Sequence, residues 1–445
     1  MRMRAVYVLI FLLTVLGSLW AISVILPKEG IQVGDTTFSF RLTSIEELRS
    51  SSAQHEPPTP ALPADSLTIA DSVATDITDT IAIPEQPRYT CLKKFYCALD
   101  SLQGHSIRVV HYGDSQIEED RITSVVRELL QERFGGGGIG LLPLYQQVPT
   151  RTMTQRTTPQ PERHTVFGSK QMHLVDSKLY GPDAQVATIQ AGETYLVEVS
   201  ARQTKLKTRK HAHYFDRMVL YSSDSVSATI AGAKAPKIKS GVMKTTSWQL
   251  RDSTSRLSFS VEGKGDVYGF SLETDTGVIV DNIPMRGCAG TIFTRIDAAQ
   301  LKQYFRTTRT RLIIMQFGGN VMPYLKTQDR ADKYAENIRR QVRYLQQLAP
   351  DASILFVGPS DMTTNINGEL QTYPILDGLD RKLQSVLEEE GETYWSMFRA
   401  MGGEGAMKRW VDSGLAASDY VHFMPSGADR IGRLLTEYIL SEYDK

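Results

Sequence analysis

Neither sign of charge predominates: 50 Lys and Arg balance 50 Asp and Glu, and the formal net charge is zero. That balance excludes the strongly basic footprint of a nucleic-acid binder and gives little support to attraction by an anionic lipid surface. Cysteine is scarce, with three residues in 445, so a disulfide framework is excluded. Cys91 and Cys97 could pair in an oxidising compartment, although positions six apart on a helix face each other poorly; Cys288 would then stay free. No CxxC and no His/Cys cluster with zinc spacing occurs. The glycine run 135–138 lacks the Gly-Lys-Ser/Thr that a phosphate cradle needs, so a flexible turn is expected there. Neither a metal nor a cofactor is implied.

The N-terminus is richer in information. Arg2 and Arg4 precede an uncharged run over residues 5–26, which as a helix would extend about 33 Å, one hydrocarbon thickness. The run is longer than the apolar part of a cleavable signal and ends without an A-x-A-like site. A single transmembrane signal anchor is therefore favoured over a cleaved signal. Basic residues before the span keep that end cytoplasmic and export the rest, which places the bulk of the chain in the periplasm. A short stretch over 37–42 has strand character. Residues 50–88 shift to Ser, Thr, Pro, Ala and Asp and read as a disordered spacer reaching roughly 30–40 Å as a flexible coil.

Ordered sequence resumes near Tyr89. A compact apolar strand at 107–110 is followed by a helical pattern through Ile117, Ile122, Val125, Val126, Leu129 and Leu130. Between 149 and 277 short alternating runs recur at 194–199, 217–221, 247–250 and 257–261, the pattern of an all-β sandwich. From 278 the texture returns to α/β, with strands at 312–317 and 354–357 and helices at 329–348, 379–387 and 431–440. Strands alternating with helices predict a parallel sheet covered on both faces. The expected organisation is an α/β domain in two parts, 89–148 and 278–445, interrupted by the β-sandwich.

Three sets of residues carry candidate chemistry. Gly113-Asp114-Ser115 directly follows the first strand, at the carboxyl edge of the sheet where open α/β folds place their sites; the same tripeptide also suits a plain helix N-cap. Asp419-Tyr420-Val421-His422 sets a carboxylate three residues from an imidazole. One ring nitrogen can then be oriented while the other faces a serine. Gly318-Gly319-Asn320 ends another strand with an amide donor, as an oxyanion hole requires, though Gly-Gly-Asn also makes an ordinary turn. Gly287 is a candidate for a second, backbone donor, with Gly290 competing. His211 and His213 lie beside a basic run and read as a solvated edge; His111 reads as a packed strand histidine. The carboxylates Asp412 and Glu388 to Glu390 do not form a glycosidase pair.

These blocks, in this order, resemble those of the SGNH (GDSL-like) hydrolases. The tract from Met401-Gly402-Gly403 to His422 is similar to the bacterial cell-envelope branch. The resemblance implies a three-layer α/β/α flavodoxin-like domain with an inserted jelly-roll-like, carbohydrate-binding-like sandwich, as in peptidoglycan O-acetylesterases. It implies Ser115 as nucleophile, His422 as base and Asp419 as its orienter. Backbone N–H groups of Ser115 and Gly287, with the Asn320 side chain, would hold the oxyanion. Gln116 stands where the family motif has Leu, a position that carries no chemistry. The implied activity is removal of O-acetyl groups from a cell-envelope polysaccharide such as peptidoglycan. An O-acetyltransferase using the same triad, or a non-catalytic glycan-binding protein, remains open. A histidine base works only unprotonated, so a flat rate between about pH 5 and 8 would contradict the assignment.

Overall fold

The structure is a computed structural model that describes residues 31–33, 36–38, 89–168, 178–202 and 214–445. The run 5–26, most of the stretch 37–42, the spacer 50–88 and His211 and His213 lie outside the described residues. The chain divides into two compact units, Met1–Ile83 and Pro84–Lys445. In the first, Ile31–Val33 pairs antiparallel with Thr36–Phe38. No helix among the described residues is long and apolar enough to cross a membrane.

The second unit is built on helices α1 (Lys93–Asp100) and α2 (Thr123–Phe134) around strand β1 (Ser106–Gly113). After a long excursion come β2 (Gly277–Pro284), α3 (Ala298–Thr307), β3 (Thr310–Gln316) and α4 (Gln328–Leu348). The chain ends with β4 (Ser353–Val357), α5 (Leu376–Glu389), β5 (Thr393–Trp395) and α6 (Pro425–Leu440). The strands form one parallel sheet in the order β2-β1-β3-β4-β5. This is the flavodoxin-like order, whose switch point lies between β1 and β3.

Successive side chains of a strand point to opposite faces, and here both faces are buried. Val110, Tyr112, Ile313, Met315, Ile354 and Phe356 meet α3, α4 and α5 on one side. Ile107, Val109, Leu312, Ile314, Leu355 and Val357 meet α1, α2 and α6 on the other. The result is a three-layer sandwich. Helix α4 shows how the pattern works: Ala331, Tyr334, Ala335, Ile338, Val342 and Leu345 are buried along one stripe, and Thr327 caps the first turn by accepting from Arg330 N. Each fully buried Ile, Val or Leu on such a stripe contributes roughly 1.5–3 kcal/mol.

Between α2 and β2 the described residues form a seven-stranded and a four-stranded sheet, antiparallel throughout. The two enclose an apolar core that includes Val197, Phe215, Leu220, Trp248, Phe259 and Phe270. The seven-stranded sheet also packs on the α/β layers, because Val186, Tyr221 and Tyr268 share one core with Tyr112, Phe293 and Tyr304. Buried charge joins them too: Arg108 of β1 pairs with Asp281 of β2 at 2.6 Å and with Glu273 of the last antiparallel strand, Gly265–Glu273. Removing one partner of such a buried group costs about 3–5 kcal/mol.

Two expectations need correction. The glycine run is not a loose turn. A Cβ at Gly136 would lie 2.4 Å from Val278 O, and one at Gly138 would lie 2.1 Å from Leu272 O. Glycine is there because backbone passes against backbone. The helix after β1 also starts later than the apolar pattern suggests, at Thr123, with Ile117 and Ile122 buried ahead of it.

Candidate active site

The β1 strand ends at Gly113, and the chain turns through Asp114, Ser115 and Gln116 rather than entering a helix. The turn is held by Ile117 N donating to Asp114 O, Glu118 N to Ser115 O, and Gln116 N to Asp114 Oδ1 at 2.9 Å. With α2 beginning eight residues on, no helix N-terminus supports charge at Ser115. What does position the serine is the guanidinium of Arg121, which donates to Ser115 O at 3.0 Å and to Glu118 O at 3.0 Å.

Ser115 Oγ lies 3.0 Å from His422 Nε2 across 307 residues of chain. The His422 loop closes on itself: Ala416 bridges Phe423, and Ala417 N donates to His422 O at 2.8 Å. Within it Asp419 Oδ1 accepts the N–H groups of Val421 (2.9 Å) and His422 (3.0 Å). Its Oδ2 lies 2.8 Å from His422 Nδ1. Partial burial raises the Asp419 carboxyl, but the His422 backbone N–H, the imidazole and the Val421 N–H outweigh it and hold the group below its ordinary value. An ionised Asp419 draws the imidazole proton to Nδ1 and leaves Nε2 as an acceptor for the serine hydroxyl.

Gln116 has more to do than its sequence context suggested. Its side chain is buried and donates to Val421 O at 2.6 Å, tying the serine turn to the histidine loop. Asn320 follows β3, across the switch point from Ser115. Its Nδ2 donates to Asp114 Oδ2 at 3.1 Å and to Cys288 O at 3.2 Å. Of the two competing glycines, Gly290 has its N–H directed at Cys288 Sγ, 3.3 Å away. Gly287 is exposed and would meet nothing within 4 Å if it bore a Cβ. Its neighbour Arg286 grips the Glu118 carboxylate, with Nε 3.0 Å from both oxygens. Glu118 and Arg286 thus connect the serine turn to the Gly287 loop, a link absent from the sequence reading.

Two buried titratable groups flank the serine. His111 lies in β1 between Gln316 Oε1 (3.1 Å) and Thr123 Oγ1 (2.9 Å), and burial lowers it to about 3. It is a packed strand histidine. Asp114 is pushed up to about 6 by burial, against the opposing effects of the Gln116 N–H, His422 and Asn320. A carboxyl raised in the folded state binds its proton more tightly there. Its stabilising contribution is therefore complete below the unfolded value of about 4 and is lost as pH rises through about 6. Asp114→Asn is expected to raise the unfolding free energy by about 1–3 kcal/mol at about pH 8 and to change little at about pH 4. Denaturant melts at both pH values test this, and a loss of stability at the higher pH would contradict it.

Among the described residues no group of three His, Cys, Asp or Glu side chains is placed to hold a metal ion. Cys91, Cys97 and Cys288 are all free thiols.

No family model matches the chain, and no curated protein matches it. Solved structures do. A peptidoglycan O-acetylesterase superposes with a TM-score of 0.62 at 18% identity, covering 79% of this chain and 97% of that one. The Clostridium thermocellum family 3 carbohydrate esterase matches with a TM-score of 0.27 at 9% identity, over 36% of this chain and 69% of its own. The second overlap carries no argument. The first extends the resemblance to SGNH esterases from short motifs to the fold of most of the chain.

Proposed function

We propose that this chain is a serine esterase that removes O-acetyl groups from a cell-envelope glycan such as peptidoglycan. The observation that carries the reading is the linked Ser115, His422 and Asp419 set, with contacts of 3.0 and 2.8 Å, at the switch point of the parallel sheet. In this reading Ser115 Oγ attacks the ester carbonyl while His422 Nε2 takes its proton. The tetrahedral oxyanion is held by the N–H groups of Ser115 and Gly287 and by Asn320. His422 then returns the proton to the departing sugar oxygen, and water, activated by the same imidazole, releases acetate from the acyl-serine. Asn320 takes this role by turning one amide hydrogen from Cys288 O towards the oxyanion while the other stays on Asp114.

The glycan substrate draws support from the shared fold with a peptidoglycan O-acetylesterase. The remaining parts belong to the same proposal: residues 5–26 anchor the chain in the inner membrane, 50–88 space it from the bilayer, and the sandwich over 149–277 engages the polysaccharide in the periplasm. Incubation of the full chain with a fluorophosphonate should leave a covalent adduct on Ser115, read by peptide mass spectrometry, and p-nitrophenyl acetate should be turned over until the label is added. A serine that takes no label and a protein that releases no acetate would remove the esterase assignment.

A further inference from the structure

A buried carboxyl outside the triad has no part in the chemistry above. Asp183 is only 3% exposed, and neither of its carboxyl oxygens has a hydrogen-bond partner. Buried polar groups are almost always paired, and an unpaired one costs on the order of 1–3 kcal/mol. Burial drives this carboxyl well above its ordinary value, and the Gln185 N–H and the Arg163 guanidinium offset only part of that. It is thus a neutral acid at working pH, with one O–H to give and one C=O to accept. The turn that carries it is fixed at both sides: Tyr112 Oη donates to Pro182 O at 2.8 Å, and Gly181 N donates to Gln300 Oε1 at 3.0 Å.

Asp183 faces a cavity between the seven-stranded sheet and the carboxyl end of β2. Its walls include the apolar Leu142, Met153 and Ile283 and the polar Gln146, Gln185 and Asn282. A second acid there, Asp120, is satisfied by Arg127 and Thr152. The cavity adjoins the serine. Its wall residues Ile283 and Pro284 pair in register with Tyr112 and Gly113, just before Ser115, and Glu119 and Asp120 follow it by four and five residues. One strand spacing and two residues of chain put Ser115 within roughly 12 Å of that wall, about the span of two sugar rings.

We infer that this cavity is a sugar subsite: Asp183 bonds a hydroxyl of the ring next to the one bearing the ester, and the apolar wall takes that ring's C–H face. The inference rests on the glycan-esterase reading and deepens it, since it makes the substrate an oligosaccharide rather than an isolated ester. A binding group left unpaired until its ligand arrives costs stability, so the substitution has two separable effects.

The full chain and its Asp183→Asn variant are titrated calorimetrically with tetra-N-acetylchitotetraose, and thermal unfolding of both is measured. The expected result is binding by the wild type, binding weakened about tenfold or more in the variant, and a melting temperature in the variant no lower than in the wild type. Equal binding by both proteins, binding by neither, or a lower melting temperature in the variant would overturn the subsite. Failure of the wild type to hydrolyse p-nitrophenyl acetate would count against the esterase reading alone, since the titration involves no ester.

Discussion

Alanine at Ser115 or at His422 is expected to remove nearly all ester hydrolysis, with kcat falling at least about 10³-fold and up to about 10⁶-fold. The two atoms meet at 3.0 Å and share one proton transfer. Without Nε2 the hydroxyl is a poor nucleophile, and without the hydroxyl the imidazole has nothing to activate. The groups act as a unit, so the Ser115→Ala/His422→Ala double variant should be no slower than either single one. Both side chains lie at the half-buried surface of turns whose backbone bonds do not involve them, so thermal melts should stay close to wild type. Turnover of p-nitrophenyl acetate by the three variants decides the matter; losses that multiply in the double variant would show two independent contributions and break the assignment.

Asp419→Asn should produce the next largest loss, about 10³- to 10⁴-fold in kcat. The present carboxylate accepts at both oxygens, from two backbone N–H groups and from Nδ1. An asparagine oxygen can serve the backbone donors, but its NH2 then meets Nδ1 and forces the imidazole proton onto Nε2. The nitrogen facing Ser115 would become a donor, unable to accept the serine proton. Because the change falls on the chemical step, KM should move far less than kcat. A variant within about tenfold of wild type in kcat would mean that Asp419 does not fix the tautomer.

Much of this site can be read from local sequence because its parts sit where short patterns end. Ser115 and Asn320 each follow an apolar strand run, and Asp419 and His422 occupy one short loop. The links among them cannot be read that way. Gln116 was set aside since nothing within a few residues needs it; its partner, Val421 O, is 305 positions away. Glu118 and Arg286 likewise meet across 168 positions.

In the fold, helix α4 was clear from its stripe of Tyr334, Ile338, Val342 and Leu345. Strand β2 was not, because its run Gly-Val-Ile-Val follows many short antiparallel strands of similar composition. The glycine run was misjudged for a related reason: composition records that the backbone is free to bend, while the need for glycine comes from Val278 and Leu272 far along the chain. A sheet that places β1 between β2 and β3 asks the same of the whole chain.

That arrangement has a consequence for synthesis. Strand β1 leaves the ribosome early, but Arg108 finds Asp281 only 173 residues later, and β3 comes later still. At about 5–20 residues per second, the apolar strand waits on the order of ten to thirty seconds for its neighbours. The antiparallel sheets are completed in that interval, before either edge of β1 can be paired. Their face carrying Tyr221 and Tyr268 is therefore available as a surface against which the nascent strand can wait, so the excursion that interrupts the α/β layers also shelters their first strand while the rest of the sheet is being made.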